Sequence, residues 1–325
     1  MSARRPDFFI VGAPKSGTTA MYSYLRQHPD LFLPQRKELR YFGRDLEIRD
    51  RHRLTEDEYL AHFRAPPSAS RIGTAYVWYL YSRTAVDEIV EFAPDAQFIA
   101  MLRNPIDMVH ALHAENLSNG NEDIVEFTAA LDAEADRREG RRLPPHAHLP
   151  QGLWYSTVPR YTEQLRRYVE RVGRDNVHVI LYDDFAADPA GSFASTLRFL
   201  GVRDDVRPAG FEVVNASKRT RSERLRHLLA RPPELPRRVI RAVVPGPVRR
   251  GLYERAKRLN ITAAPRPPMS PATRERLRVM FADEAEQLSA FLGRDLSHWA
   301  AAEPTPGRAT AGSAGDGQNA LADGE

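Results

Sequence analysis

The 325 residues carry 42% hydrophobic side chains and a formal net charge of +4. This small positive charge suits an anionic ligand but is too weak to indicate nucleic-acid binding. The chain has no cysteine, which excludes disulfides and thiolate metal sites and favours a reducing compartment. The opening "MSARRPDFFIVGAP" lacks the apolar core of a secretory signal, and no apolar run approaches the roughly 20 residues that span a bilayer. We therefore expect a cytoplasmic protein without integral membrane segments.

Continuous apolar runs of strand length predict a buried sheet. The strongest are "FFIVGA" (8–13), "QFIAML" (97–102) and "VHVILY" (177–182), and "IGTAYVWYL" (72–80) is a weaker fourth. Unbroken apolar strands are typical of sheets that are covered on both faces. Helical periodicity follows at 158–172 and 277–292. Strands that alternate with helices predict an α/β fold with a parallel sheet in three layers.

The remaining segments set the expected domain limits. Residues 218–268 are rich in arginine and proline, and we expect helical pieces and loops there, packed over the sheet edge as a lid-like segment. The tail 300–325 is small, polar and glycine-rich, which predicts disorder. We therefore expect a short N-terminal extension at 1–6, one domain at 7–299 and a disordered tail.

The first predicted strand runs through the loop "GAPKSGTT" into a predicted helix. A helix N-terminus after such a loop presents free backbone N–H groups and a positive dipole end, which bind phosphate and similar oxyanions. Gly12 and Gly17 have the spacing of a nucleotide-binding P-loop. However, Thr18 follows Gly17 and the lysine comes earlier, at Lys15, which disfavours an ordinary NTPase loop. The other interpretation is a tight turn without a ligand.

The loop and later segments together resemble the sulfotransferases that use 3′-phosphoadenosine 5′-phosphosulfate (PAPS). The similar pieces, in order along residues 7–299, are "PKSGTT", "KELRYF", "LRNPIDM", "ILYDDFAADPAGSFASTLRFLGV", "VNASK" and "LGRDLSHW". The resemblance implies the P-loop NTPase-like sulfotransferase fold and PAPS as co-substrate. It also implies sulfuryl transfer to a hydroxyl or amine of a small-molecule, carbohydrate or lipid acceptor, without a metal.

The resemblance assigns the phosphosulfate-binding loop residue by residue. Lys15 and the amides and hydroxyls that follow it would hold the 5′-phosphosulfate of the donor; the others are Ser16, Gly17, Thr18 and Thr19. Lysine suits this role because its compact charge can stabilise negative charge that develops on the leaving oxygen.

Arg103 is the second expected contact with the donor. Asn104 is predicted as a helix N-cap and Pro105 as the first helical residue, so Arg103 stands at the carboxyl end of a strand, where open α/β sheets bind ligands. In the family this arginine holds the 3′-phosphate. The serine that usually follows eight residues later is Ala111 here. The sequence candidates to replace its hydrogen bond are the basic residues Lys218, Arg219 and Arg221.

Acceptor activation requires a base, and the resemblance implies Glu38, with Lys37 beside it. A glutamate can act as a general base if its surroundings tune its pKa. The rival candidates are His110 and His113, on the helix predicted after Arg103. The family often has a glutamate at the position of Thr74, which predicts a different acceptor pocket in this chain.

Two other functions remain open from the sequence. A nucleotide or nucleoside kinase is favoured by the glycine spacing but disfavoured by the position of the lysine. A non-catalytic member that binds the donor or its product without transfer is suggested by the departures at Ala111 and Thr74.

Overall fold

A five-stranded parallel sheet organises the chain. The computed structural model describes residues 4–48, 53–145, 147–211, 218–220, 261–263 and 268–301, with the two three-residue segments given by their backbone alone. The sheet strands are β1 (Phe8–Gly12), β2 (Leu31–Phe32), β3 (Arg71–Ala75), β4 (Gln97–Leu102) and β5 (Val177–Leu181). Their order is β2-β3-β1-β4-β5, with every neighbouring pair parallel.

Helices cover both faces of this sheet. In chain order they are α1 (Thr18–Leu25), α2 (Glu56–Leu60), α3 (Ala85–Phe92), α4 (Pro105–Asn119), α5 (Phe127–Asp132), α6 (Glu134–Arg138), α7 (Tyr161–Val172), α8 (Tyr182–Ala187), α9 (Pro189–Leu200) and α10 (Pro271–Leu292). Alternate residues of β1 face opposite cores. Phe9 packs with α3, α4, α7 and α10, whereas Phe8 packs with α1, α8 and α9. The expected α/β fold with a three-layer parallel sheet is confirmed.

Three of the four predicted strands match the sheet closely, and the fourth is shorter than predicted. β3 ends at Ala75, and residues 76–80 form turns rather than a strand. Their apolar character comes instead from burial of aromatic side chains, since Tyr76 and Tyr79 are buried and their rings lie 4.9 Å apart. The two-residue strand β2 was not predicted. The helix predicted from residue 158 begins at Tyr161.

The described parts of the basic segment form strands, not the predicted helical pieces. β6 (Lys218–Thr220) pairs antiparallel with β7 (Ile261–Ala263), and β6 lies against α4. The rest of the predicted lid-like segment, at 221–260 and 264–267, lies outside the described residues, as does the tail from residue 302. Within the expected N-terminal extension at 1–6, the Arg4 guanidinium donates to the Ala69 carbonyl oxygen at 2.8 Å. Over the described ranges, no helix is both long and apolar enough to cross a bilayer.

Candidate functional site

The loop between β1 and α1 is shaped by two glycines. Gly17 has φ of +88°, and a Cβ there would lie 3.0 Å from ring carbons of Phe185. A Cβ on Gly12 would lie 2.9 Å from the Val77 carbonyl oxygen. Gly17 is the N-cap of α1, and within the described residues no side chain caps this helix. The Ala20 N–H donates to the Gly17 carbonyl oxygen at 3.0 Å, so among the described residues the Thr18 and Thr19 N–H groups remain open to an external oxyanion.

Lys15 forms an ion pair with a glutamate that was not among the residues expected from the sequence. Its Nζ lies 3.0 Å from Oε2 of Glu115 on α4, and both side chains are partly exposed. Lys15 also has φ of +60°, which is uncommon outside glycine and is found often at functional sites. A signal for Glu115 was present, because it lies four residues after Ala111 and residues at this spacing share a helix face.

The segment with Lys37 and Glu38 reaches the same loop. Lys37 Nζ contacts Oγ1 of Thr18 at 3.1 Å, Oγ1 of Thr19 at 3.3 Å and Glu38 Oε1 at 2.7 Å. The other carboxylate oxygen, Glu38 Oε2, accepts a hydrogen bond from the Val77 N–H at 3.2 Å. Glu38 itself has φ of +65°. The structure thus brings Glu38 beside the loop residues with which the sequence grouped it.

Arg103 lies directly after β4 and contacts the loop. Its Nη1 donates to the Lys15 carbonyl oxygen at 3.3 Å, and its guanidinium carbon lies 4.5 Å from the centre of the Tyr182 ring. Asn104 caps α4 as predicted, since its Oδ1 accepts from the Ile106 N–H at 3.0 Å. A capped helix start fixes the backbone around Arg103, so the guanidinium is held at the carboxyl edge of the sheet.

Ser16 and Tyr161 support the loop from beneath. Ser16 is fully buried, and its hydroxyl donates to the Pro14 carbonyl oxygen at 3.2 Å. Tyr161 places its buried hydroxyl beside Ser16 and the backbone of Arg103. Burial raises the pKa of Tyr161, so its hydroxyl keeps its proton. These two buried side chains pack on the interior side of the loop and stabilise its conformation.

The structure does not bring His113 to the loop. The His113 side chain is buried, its Nε2 lies 2.9 Å from the Ile124 carbonyl oxygen, and its ring packs on Phe127 and Tyr155. Burial lowers the pKa of His113. Glu115 is two positions further along α4, which places the two side chains about 160° apart around the helix. The ring of the other candidate, His110, also lies against Phe127, at 5.2 Å.

The remaining sequence candidates are Ala111, the basic residues expected to replace its missing hydroxyl, and Thr74. Ala111 is buried on α4, and β6, the strand that carries Lys218 and Arg219, packs on that helix. Arg221 lies outside the described residues. Thr74 is only 1% exposed and lies beside the Tyr59 hydroxyl in the core. The Glu38 carboxylate instead accepts from the Val77 N–H, in the turn after β3, and the Glu38 N–H donates to the Ala75 carbonyl oxygen at 3.0 Å.

Comparisons with known proteins identify the family and similar structures. The model of a family described as "Sulfotransferase domain" matches residues 5–226. The crystal structure of a sulfotransferase from Alicyclobacillus acidocaldarius is similar, with 27% identity, a TM-score of 0.68, and coverage of 91% of this chain and 99% of that one. The human bifunctional heparan sulfate N-deacetylase/N-sulfotransferase 3 is 26% identical over 212 residues, which are 61% of this chain and 22% of that protein. The chain thus matches about a fifth of the length of this relative.

Proposed function

The chain belongs to the sulfotransferase family, and on this premise we propose that it transfers a sulfuryl group from PAPS to an acceptor hydroxyl or amine. The observation that carries the proposal is the presence of Lys15, Lys37 and Arg103 in or against the loop that leads into the uncapped N-terminus of α1. The acceptor class is a carbohydrate, a lipid or another small molecule. The name of the heparan sulfate relative supports a carbohydrate.

The residues present fit an anionic donor. Open N–H groups at a helix N-terminus and nearby cations are the usual partners of phosphate and sulfate groups. We assign the 5′-phosphosulfate to Lys15 and the loop residues Ser16, Gly17, Thr18 and Thr19. The 3′-phosphate is assigned to Arg103, whose planar fork suits bidentate contact with an oxyanion. Lys218 and Arg219 are assigned to the same phosphate, where Ala111 offers no hydroxyl.

Lys15 stabilises the leaving group. Bound PAPS supplies a sulfuryl group attached to a phosphate that departs with the bridging oxygen. Lys15 exchanges its ion pair with Glu115 for contact with that oxygen. Its ammonium then neutralises the negative charge that grows as the sulfur–oxygen bond breaks, which lowers the barrier more than it strengthens ground-state binding.

Glu38 takes the proton of the acceptor. As the acceptor oxygen or nitrogen forms its bond to sulfur and the bond to the phosphate oxygen breaks, the acceptor proton passes to the Glu38 carboxylate. Lys37 holds Oε1 of this carboxylate at 2.7 Å, and the Val77 N–H holds Oε2. When the negatively charged donor interacts with the Lys37 ammonium, Oε1 of Glu38 becomes available as the base. The Val77 N–H keeps the carboxylate in position through Oε2.

The transfer domain extends beyond the matched residues 5–226. The carboxylate of Glu284 on α10 accepts from both the N–H and the hydroxyl of Thr162 on α7, each at 2.8 Å. α10 also packs on α4. Because these helices share one core, we propose a single domain that spans 7–299.

Product detection tests the proposed transfer. Cell extracts are incubated with the enzyme and isotopically labelled PAPS, and mass spectrometry searches for labelled sulfuryl products. The expected result is a labelled product that the wild type forms and Lys15→Ala does not. Binding of the donor without any labelled product would support the non-catalytic alternative. A labelled product formed equally by both enzymes would contradict the role of the loop.

A further inference from the structure

The segment "LGRDLSHW" (292–299) ends in a buried tryptophan. Its last three residues form a 3₁₀ turn, Ser297–Trp299, that packs on α10. The Trp299 N–H donates to the Leu296 carbonyl oxygen at 2.9 Å, and Trp299 is only 3% exposed. The core of the domain therefore holds this tryptophan in a fixed position, beyond the residues that the family model matches.

Two neighbouring strands of the sheet end at the same level. β4 and β5 are parallel, and Leu102 pairs with Leu181 at the last position of their ladder. The residues that follow this pair are Arg103 and Tyr182, and the Arg103 guanidinium lies over the Tyr182 ring. Because the ladder ends at Leu102 and Leu181, the relative position of the two segments beyond it depends on side-chain contacts.

Trp299 connects these two segments. Its Nε1–H donates to Oδ2 of Asp183 at 2.8 Å, and its backbone carbonyl oxygen accepts from the Asn104 side-chain amide at 3.4 Å. Asn104 follows Arg103 directly, and Asp183 follows Tyr182. One buried residue thus contacts both chain segments immediately after the stacked side chains of Arg103 and Tyr182.

We propose that Trp299 is a positioning residue for Arg103 and thereby sets the preference of the donor site for a 3′-phosphate. This inference rests on the proposed function, which assigns the 3′-phosphate to Arg103. A flexible guanidinium loses conformational entropy when it binds a phosphate, and a guanidinium that is already held in place loses less. Trp299 does not touch the ligand. It acts through Asn104 and through the segment after β5.

Two ligands isolate the contact with the 3′-phosphate. The bisphosphate 3′-phosphoadenosine 5′-phosphate carries this group, and the monophosphate adenosine 5′-phosphate lacks it. The ratio of their dissociation constants in calorimetry is the preference for the 3′-phosphate. Trp299→Phe keeps an aromatic ring in the core but removes the indole N–H. We expect the affinity for the bisphosphate to fall about three- to tenfold, and the affinity for the monophosphate to stay unchanged.

A second variant tests the same hydrogen bond from its exposed side. The Asp183 side chain is 48% exposed, so Asp183→Ala should fold normally. Removal of its negative charge would by itself favour the more highly charged bisphosphate. A lower preference for the bisphosphate, which we expect, therefore has to come from the lost hydrogen bond. The matched control is Trp154→Phe, which removes an indole N–H from a ring that packs on Arg138 and should leave the preference unchanged.

The outcomes separate this inference from the proposed function. In the Arg103→Ala background, Trp299→Phe should cause no further loss of preference, because residues that act through one contact are not additive. An unchanged or higher preference in either variant, equal weakening of both ligands, or additive losses with Arg103→Ala would overturn the positioning role and leave the proposed transfer in place. A wild type that binds the bisphosphate no better than the monophosphate would overturn the 3′-phosphate assignment, and the positioning role with it.

Discussion

Two kinds of ion pair place similar charges in opposite surroundings. One kind lies at the loop between β1 and α1, and the other is the buried pair between Glu122 and Arg137. Glu122 and Arg137 are 0% exposed and form two parallel hydrogen bonds of 2.6 and 2.8 Å, and the Tyr155 hydroxyl donates to the same carboxylate at 3.0 Å. Lys15 and Glu115 form a single contact, with 27% and 43% of their side chains exposed.

Because one pair is buried and the other is partly exposed, we expect the first to stabilise the fold and the second to take part in ligand binding. A buried, fully hydrogen-bonded pair cannot lose one partner without leaving a charge in a low-dielectric interior, so it fixes the structure. A partly exposed pair contributes little to stability and can exchange a partner for an anionic ligand at small cost. Variants of the buried pair should therefore change the free energy of unfolding, and variants of the loop pairs should change binding and catalysis.

The largest effect on stability is expected for Glu122→Gln. The substitution leaves Arg137 charged and buried, so the free energy of unfolding should fall by about 3–5 kcal/mol in chemical denaturation. The variant that also replaces Arg137 with methionine should recover part of this loss. A loss below about 1 kcal/mol for Glu122→Gln would contradict the comparison.

The pH dependence of the same variant provides a second check. Burial alone would raise the pKa of Glu122, but the hydrogen bonds from Arg137 and the Ile124 N–H bring it below its ordinary value of 4.5. A lowered pKa in the folded state stabilises the fold above the unfolded pKa, and this contribution disappears as the pH falls through the folded pKa. The stability difference between wild type and variant should therefore be full at pH 7 and shrink below pH 4.5.

Glu38→Gln should have the largest effect on catalysis. Glutamine keeps the shape and hydrogen bonding of the side chain but removes its basicity, so transfer should fall by about 10²- to 10⁴-fold in steady-state assays. The Kd for the donor product 3′-phosphoadenosine 5′-phosphate (PAP) should stay near the wild-type value. If Glu38→Gln kept most of the activity while His110→Ala or His113→Ala abolished it, the base assignment would be withdrawn.

Lys15→Ala should follow, with a loss of about 10²- to 10³-fold in the transfer rate. Its charge matters most as the leaving oxygen becomes negative, so the rate should fall more than the affinity for PAP. Single-turnover kinetics together with calorimetry separate the two quantities. Equal losses in rate and affinity would mean that Lys15 only binds the ground state.

Glu115→Gln should produce the smallest effect, with the opposite sign. The substitution removes the carboxylate that competes with the donor for Lys15, so PAP should bind about two- to fivefold more tightly, as expected for one exposed ion pair. The matched control is Glu163→Gln, which breaks the exposed pair with Arg167 on α7 and should leave PAP binding unchanged. Weaker PAP binding by Glu115→Gln would show that Glu115 supports the donor site instead.

Local sequence signals predicted the frame of this site, and tertiary contacts supplied the rest. The strand at Phe8, the glycine loop and the Asn104 cap were predictable because each depends on neighbouring residues. The contact between Lys15 and Glu115 joins residues 100 positions apart in the chain, so the spacing from Ala111 indicates the helix face of Glu115 but not its pairing with Lys15. His113 has the residue type of a base, but its burial depends on packing against Phe127 and Tyr155. β2 has only two residues, too few for any periodicity.

Titration of PAP into the protein by calorimetry, with and without Mg²⁺, tests the central claim most directly. The account predicts one binding site whose affinity does not depend on the metal, is weakened by Arg103→Ala, and is poorly competed by ATP, which lacks the 3′-phosphate. Binding that requires Mg²⁺, or that ATP competes as well as PAP does, would contradict the assignment of the β1–α1 loop and Arg103 to the sulfuryl donor.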